Sequence, residues 1–198
     1  MDLIPSRVRL TRAESRARTR AHLLEAAAEV FARSGFHGAS IEDVADLAGY
    51  TKGAVYSNFS SKDELFLAVL QARMQAQVEL LERLSAQAEA AGDEPVAAAP
   101  DLDWLDLKWC LLTFEFWLYA LRNPGVAERL AEVYQQFRAQ LAPLVSPFVG
   151  DAMKPTELAA AAIALYEGLA LQWHLDSSAV GADLVVRVLE SMRAAPQR

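Results

Sequence analysis

The stretch from Ala48 to Leu65, AGYTKGAVYSNFSSKDEL, narrows the possible folds more than any other part of this 198-residue chain. Ala48-Gly49-Tyr50 reads as a tight turn, with Gly49 able to take a positive φ. Thr51 is a capping type, and Val55 and Phe59 lie one helical turn apart. Together they predict a short helix from Thr51 to about Phe59. An isolated helix needs roughly 12–15 residues to persist in water, and Gly53 costs this one about 1 kcal/mol relative to alanine. It can exist only with Val55 and Phe59 buried against neighbours. Lys52 and Tyr56, and Gly53 and Ser57, are four apart and share the outward face.

The neighbours are legible on both sides. An Ala-rich amphipathic run over residues 14–34 carries Leu24, Ala27 or Ala28, and Phe31 at helical spacing, and Ser34-Gly35 is its stop signal. Ser40 caps a helix over residues 41–47, with Asp43 as capping partner and Glu42 and Asp43 in its first turn. Phe31, Val44, Leu47 and Leu65 are the expected core around Val55 and Phe59. Ser61-Lys62-Asp63-Glu64 has the form of a capping box opening a long helix to about Glu89. Residues 91–100 break the pattern. Further helices follow over residues 102–122, one or two over 125–148, one from a Thr156 cap to about Asp176, and one over 183–193.

No strand run or repeat appears. The expected fold is therefore all-α with about nine helices. A three-helix helix-turn-helix domain at residues 14–62 follows a flexible basic tail at 1–13, and a larger helical domain spans 63–198.

Charge divides the same way. Residues 1–62 hold nine basic and seven acidic side chains, although the whole chain is at −7, so a basic front end precedes an acidic body. The single cysteine, Cys110, cannot form an internal disulfide, which suits a reducing setting. No apolar run follows the early arginines as a leader would require. The apolar stretches 109–121 and 158–175 are interrupted by Glu115 and by Glu167, Gln172 and His174, so no membrane span is expected. These points predict a cytoplasmic protein.

Gly53 and Ala54 keep the start of the short helix slim, with no first-turn acid. That suits docking by its N-terminus in a DNA major groove. Ser40, Thr51, Tyr56, Asn58 and Lys62 are placed to reach phosphates. Lys62 sits at a helix start, where the dipole disfavours a cation, and this points to an external anion. Six arginines between Arg7 and Arg20 either follow the DNA backbone or remain uncommitted.

With these residues in hand, residues 20–66 resemble the DNA-binding domain of the TetR (TetR/AcrR) family of transcriptional regulators. The pattern A-G-x-[ST]-x-G-x-[VL]-Y-x-x-F followed by K-x-x-L is met by Ala48, Gly49, Thr51, Gly53, Val55, Tyr56, Phe59, Lys62 and Leu65. The resemblance implies base contacts from Lys52, Gly53, Ala54 and Ser57, and phosphate contacts from Ser40, Thr51, Tyr56, Asn58 and Lys62. Asn58 departs from the histidine that many members carry. The resemblance further implies a C-terminal ligand-binding domain and a homodimer through the last two helices.

In that C-terminal part, Trp104, Trp109, Phe114, Trp117 and Tyr119, with Met74, Tyr134 and Phe137, could line an aromatic cavity or pack a plain core. Residues 109–121 are apolar nearly all round and predict a central buried helix. Glu115, flanked by two phenylalanines, is either paired structurally with Lys108, Arg122 or Tyr119, or recognises a cationic or hydroxylated ligand. Glu167 and His174 raise the same question. No metal-ligand spacing or catalytic set is present, so no cofactor and no enzymatic activity are expected.

The expected function is a homodimeric transcriptional repressor, released from a near-palindromic double-stranded operator by a hydrophobic small molecule, cationic where it meets a carboxylate. The alternative is an all-helical small-molecule-binding protein or enzyme without DNA binding.

Overall fold

A computed structural model of the chain describes residues 11–91, 106–148, 153–178, 184, 187 and 188. Among the described residues there are seven α-helices, one 3-10 turn and no β-strand. The helices are α1 (Arg12–Gly38), α2 (Ile41–Ala48), α3 (Lys52–Asn58), α4 (Lys62–Ala91), α5 (Leu107–Leu121), α6 (Pro124–Val145) and α7 (Pro155–Leu175), with the 3-10 turn at Ser146–Phe148. The helix expected over 183–193, all but three of its positions, and Trp104 lie outside the described residues. The chain divides into two compact units, Met1–Val69 and Leu70–Arg198.

In the first unit, Thr11 and Glu14 form a capping box that opens α1. Arg12, Arg16 and Arg18 are therefore exposed helical residues, while Arg7 and Arg9 lie outside the described residues. Gly35, at φ 71, kinks α1 at the expected stop, and one further turn follows to Gly38. The buried stripe is Leu23, Ala26, Ala27, Val30 and Phe31. Ala27 and Phe31 are buried as their spacing predicts, but Leu24 is only half-buried and Leu23 takes its place in the stripe.

Phe31, Phe36 and Phe66 pack edge-on and stacked at 5.1–6.2 Å between ring centroids. Val55 and Phe59 are fully buried. Leu47 is not in this core: it is 44% exposed. Ile41, Val44 and Ala45 already form the buried face of α2, and Leu47 lies about 240° around the helix from Ile41.

The start of α4 differs from the expected box. Ser61 Oγ accepts the Glu64 N–H at 3.1 Å, but the Glu64 carboxylate takes the N–H and hydroxyl of Ser60 instead of reaching Ser61.

In the second unit, α6 and α7 form the most extensive helix pair, and α5 packs on both. Pro124 and Pro155 occupy first-turn positions of α6 and α7, where a missing N–H costs nothing. The α7 cap is thus Lys154, whose N–H donates to Glu157 at 2.9 Å, and not Thr156.

α5 is not buried all round. Cys110, Leu112, Phe116 and Ala120 face inward, whereas Leu107, Leu111, Leu118 and Leu121 are exposed. α4 is tied to α6 by two side-chain amide bonds, Gln71 to Gln136 at 2.8 Å and Gln140 to Gln75 at 2.6 Å. Among the described residues, no helix is long and apolar enough to cross a membrane.

Candidate DNA interface and ligand cavity

α2 and α3 meet at Gly49, which adopts the left-handed conformation (φ 71, ψ 30) and donates its N–H to Ala45 and Asp46 carbonyls. Tyr50 N–H adds a bond to Ala45 at 2.9 Å, completing a glycine-closed helix end. Thr51 Oγ1 accepts the Ala54 N–H at 3.2 Å and opens α3. A Cβ on Gly53 would meet only Thr51 Oγ1 at 3.7 Å, an ordinary contact. Among the described residues, nothing requires glycine there.

The seven-residue helix is closed at its other end from α1. Arg20 Nη1 donates to the Asn58 carbonyl at 3.0 Å, and its guanidinium lies 4.2 Å from the Phe59 ring centroid. By sequence, Arg20 belongs to the run of six arginines that either follows the DNA backbone or remains uncommitted. Its observed partners make it a capping residue for α3, and no local pattern could reveal a partner 38 positions away.

Most polar groups expected at the interface have partners within this unit. Ser40 donates its hydroxyl to Asp43 at 2.6 Å, and that bond with the Ser40 N–H holds the Asp43 carboxyl below its ordinary range. Lys52 pairs with Glu42, an acid in the first turn of α2. Ser57 Oγ and Asn58 Nδ2 both donate to the Ala54 carbonyl, at 2.8 and 2.9 Å. Lys62 Nζ donates to the Ala39 carbonyl at 3.1 Å and lies 4.7 Å from the Phe36 ring centroid. Its place at a helix start thus has an internal reason as well. Tyr56 is 48% exposed, and its hydroxyl has no hydrogen-bond partner among the described residues. Gly53 and Ala54 lie beside it on α3.

Two cavities stand out among the described residues of the second unit. One, of about 70 Å³, is lined by residues including Met74, Trp109, Cys110, Phe114, Tyr134, Phe137 and Glu167. The other, of about 430 Å³, is lined by Trp117, Tyr134, Arg138 and Glu167 with five alanines of α5, α6 and α7. The second falls in the size range of small-molecule sites, roughly 300–1,000 Å³. Glu115 and Tyr119 line neither cavity.

Tyr134 and Glu167 belong to both walls. Trp117 Nε1 donates to the Tyr134 hydroxyl at 2.9 Å, and that hydroxyl donates to Glu167 Oε1 at 2.7 Å. Glu167 Oε2 is buried with no hydrogen-bond partner. Burial raises the Glu167 carboxyl to about 7, against the lowering effect of the Tyr134 bond. His174 Nε2 is a second buried polar atom without a partner, its ring edge-on to Trp173 at 5.0 Å. Burial also pushes the Cys110 thiol up, as does the nearby Glu167, which disfavours the thiolate form. Among the described residues, no cluster suited to a metal ion is present.

Comparison with known proteins places these features. The family model of "Bacterial regulatory proteins, tetR family" matches residues 23–69, and that of "BetI-type transcriptional repressor, C-terminal" matches residues 96–195. The transcriptional activator FasR of Mycolicibacterium smegmatis is 54% identical over 52 residues, which is 26% of this chain and 24% of FasR. The chain thus spans about a quarter of that relative. The transcriptional regulator UidR of Escherichia coli is 30% identical over 146 residues, covering 68% of this chain and 73% of UidR. A regulator from Mesorhizobium loti assigned to the TetR family shares the fold at a TM-score of 0.62 and 20% identity, over 93% of this chain and 96% of that one. With a helix-turn-helix unit followed by a helical unit that a repressor family model matches, the chain is a member of the TetR family of DNA-binding transcriptional regulators.

Proposed function

We propose that the protein is a homodimeric, cytoplasmic repressor that a small hydrophobic cation releases from a near-palindromic operator. It has no enzymatic role. The observation that carries the ligand reading is the hydrogen-bond chain from Trp117 through Tyr134 to Glu167, which ends on a buried carboxylate oxygen with no donor. A buried polar atom left unmatched is costly, and the Glu167 side chain that carries it lines a cavity walled by alanines and aromatic rings. An ammonium or protonated ring nitrogen entering that cavity supplies the missing donor, and the rings favour a cation. The ligand shifts the DNA-bound equilibrium only by its difference in affinity for the two states.

The DNA reading uses Lys52, Gly53, Ala54 and Ser57 for base edges and Ser40, Thr51, Tyr56, Asn58 and Lys62 for phosphates. A dimer through α7 and the last helix places two α3 helices in successive major grooves, about 34–36 Å or a multiple apart. Among the described residues, a Cβ at Gly168 would meet nothing within 4 Å, which leaves room for a close approach on that side of α7.

The test is to select duplexes from a random pool with the purified protein. Tetramethylammonium, benzylamine, benzoate and an uncharged aromatic alcohol are then titrated into the complex. The cations should release DNA at pH 8 and lose that ability in Glu167→Gln. Release by benzoate alone would assign the cavity to Arg138 and overturn the cationic reading. Increased transcription from a promoter carrying the selected site, with protein and no ligand, would show an activator, as FasR is named.

A further inference from the structure

Lys52 stands on the outward face of α3 with its charge already engaged. Its ammonium is held by Glu42, ten residues earlier in the first turn of α2, and lies 5.9 Å from the centroid of the Tyr56 ring. The Lys52 and Glu42 side chains are about half exposed, at 50% and 57%. The α2 start does not need Glu42, because Ser40 and Asp43 already form its capping box. Asp46, the acid of α2 outside the first turn, is exposed and makes no ion pair with Lys52.

We propose that Glu42 is a specificity-determining residue of the DNA interface: it withholds the Lys52 ammonium from the phosphates of non-cognate DNA and offers it to a base-edge acceptor in the cognate site. This rests on the reading above that the Lys52 face of α3 meets DNA.

The chemistry distinguishes the two acceptors. Every duplex offers phosphates, and a lysine free to neutralise one adds a sequence-independent, salt-sensitive contact. A phosphate takes the ammonium either by bringing a second anion against Glu42 or by breaking the Lys52–Glu42 pair. A guanine O6 or N7 carries no net charge. Because an ammonium has three donors, Lys52 can keep one on Glu42 and give another to the base. Exposed ion pairs are weak, so Glu42 handicaps a competing phosphate modestly and does not lock the helix.

The experiment compares a duplex selected from a random pool by the native protein with a scrambled duplex of equal length and composition. Dissociation constants are measured across a salt series for the native protein and for Glu42→Gln, Lys52→Gln, the double variant and Asp46→Asn. Glu42→Gln should tighten binding to the scrambled duplex by about two- to fivefold and steepen its salt slope by about 0.9 per head. Affinity for the selected duplex should change far less. In the Lys52→Gln background the Glu42→Gln effect should vanish, and Asp46→Asn should not reproduce it.

Equal gains on both duplexes, or the same gain from Asp46→Asn, would reduce Glu42 to a general surface charge and overturn the proposal. If Lys52→Gln binds the selected duplex as well as the native protein, Lys52 does not face DNA, and the underlying placement of α3 fails instead.

Discussion

In Met1–Val69 most of the polar side chains expected to face DNA are bonded within the unit: Ser40 to Asp43, Lys52 to Glu42, Ser57 and Asn58 to Ala54. Beneath them three phenylalanine rings fill the core. In Leu70–Arg198 a carboxylate oxygen and a histidine nitrogen are buried without partners, and alanines leave space beside the carboxylate. A surface that exchanges one set of hydrogen bonds for another can be complete in the free protein. A cavity that selects its occupant by a missing donor must be incomplete until the occupant arrives.

The contrast breaks most visibly at the first unit's core. Phe66→Ala should cost about 3–5 kcal/mol and abolish binding to every duplex. Urea denaturation with parallel DNA titration would show it, and a smaller loss would mean that the ring cluster is not dense.

The next effect belongs to the second unit and depends on pH. Glu167 has a folded pKa of about 7 against an ordinary 4.5. A raised value means that its contribution to stability is fully present below about pH 4.5 and is lost as pH rises through about 7. Glu167→Gln removes that dependence. Relative to the native protein, the variant should therefore gain roughly 2–3 kcal/mol between pH 5 and pH 8, read from urea midpoints at both. A constant difference would show that the carboxyl is solvated. Cation binding has the opposite slope, since it needs the ionised form and should weaken below about pH 7.

Gly53→Ala sharpens the contrast from the other side. The added methyl meets no close contact, so the helix should gain about 0.5–1 kcal/mol while DNA affinity falls. A gain in both would leave Gly53 without a role at the interface. Smallest of all, Leu47→Gln at its exposed position should change stability by less than about 0.5 kcal/mol, measured by thermal melting.

How much of this could be read in the sequence follows from the distance between partners. The Gly49 turn, the Ser40 and Thr51 caps and the Val55–Phe59 anchor each depend on residues within four positions, and all are observed. Leu24 and Leu47 were misplaced because hydrophobic type alone does not set the phase of a helix. Glu115 drew notice from its phenylalanine neighbours, yet Glu167 borders the cavities. Its surroundings come from α5 and α6, and a linear pattern does not show which residues of three helices converge. The alanines that leave the larger cavity open look, in sequence, like ordinary helix formers.

The contact from Arg20 to the end of α3 has a consequence for the order of folding. Val55 and Phe59 cannot be buried, nor the Asn58 carbonyl capped, until α1 is in place. So short a helix does not persist alone. It should therefore be among the last elements of its unit to form and among those opened by any loosening of α1. The backbone amides of Val55 and Phe59 then act as reporters on a helix that begins forty residues earlier. A chain trimmed through Arg20 would lose its recognition helix without losing any of the residues from Ser40 to Lys62 assigned to DNA.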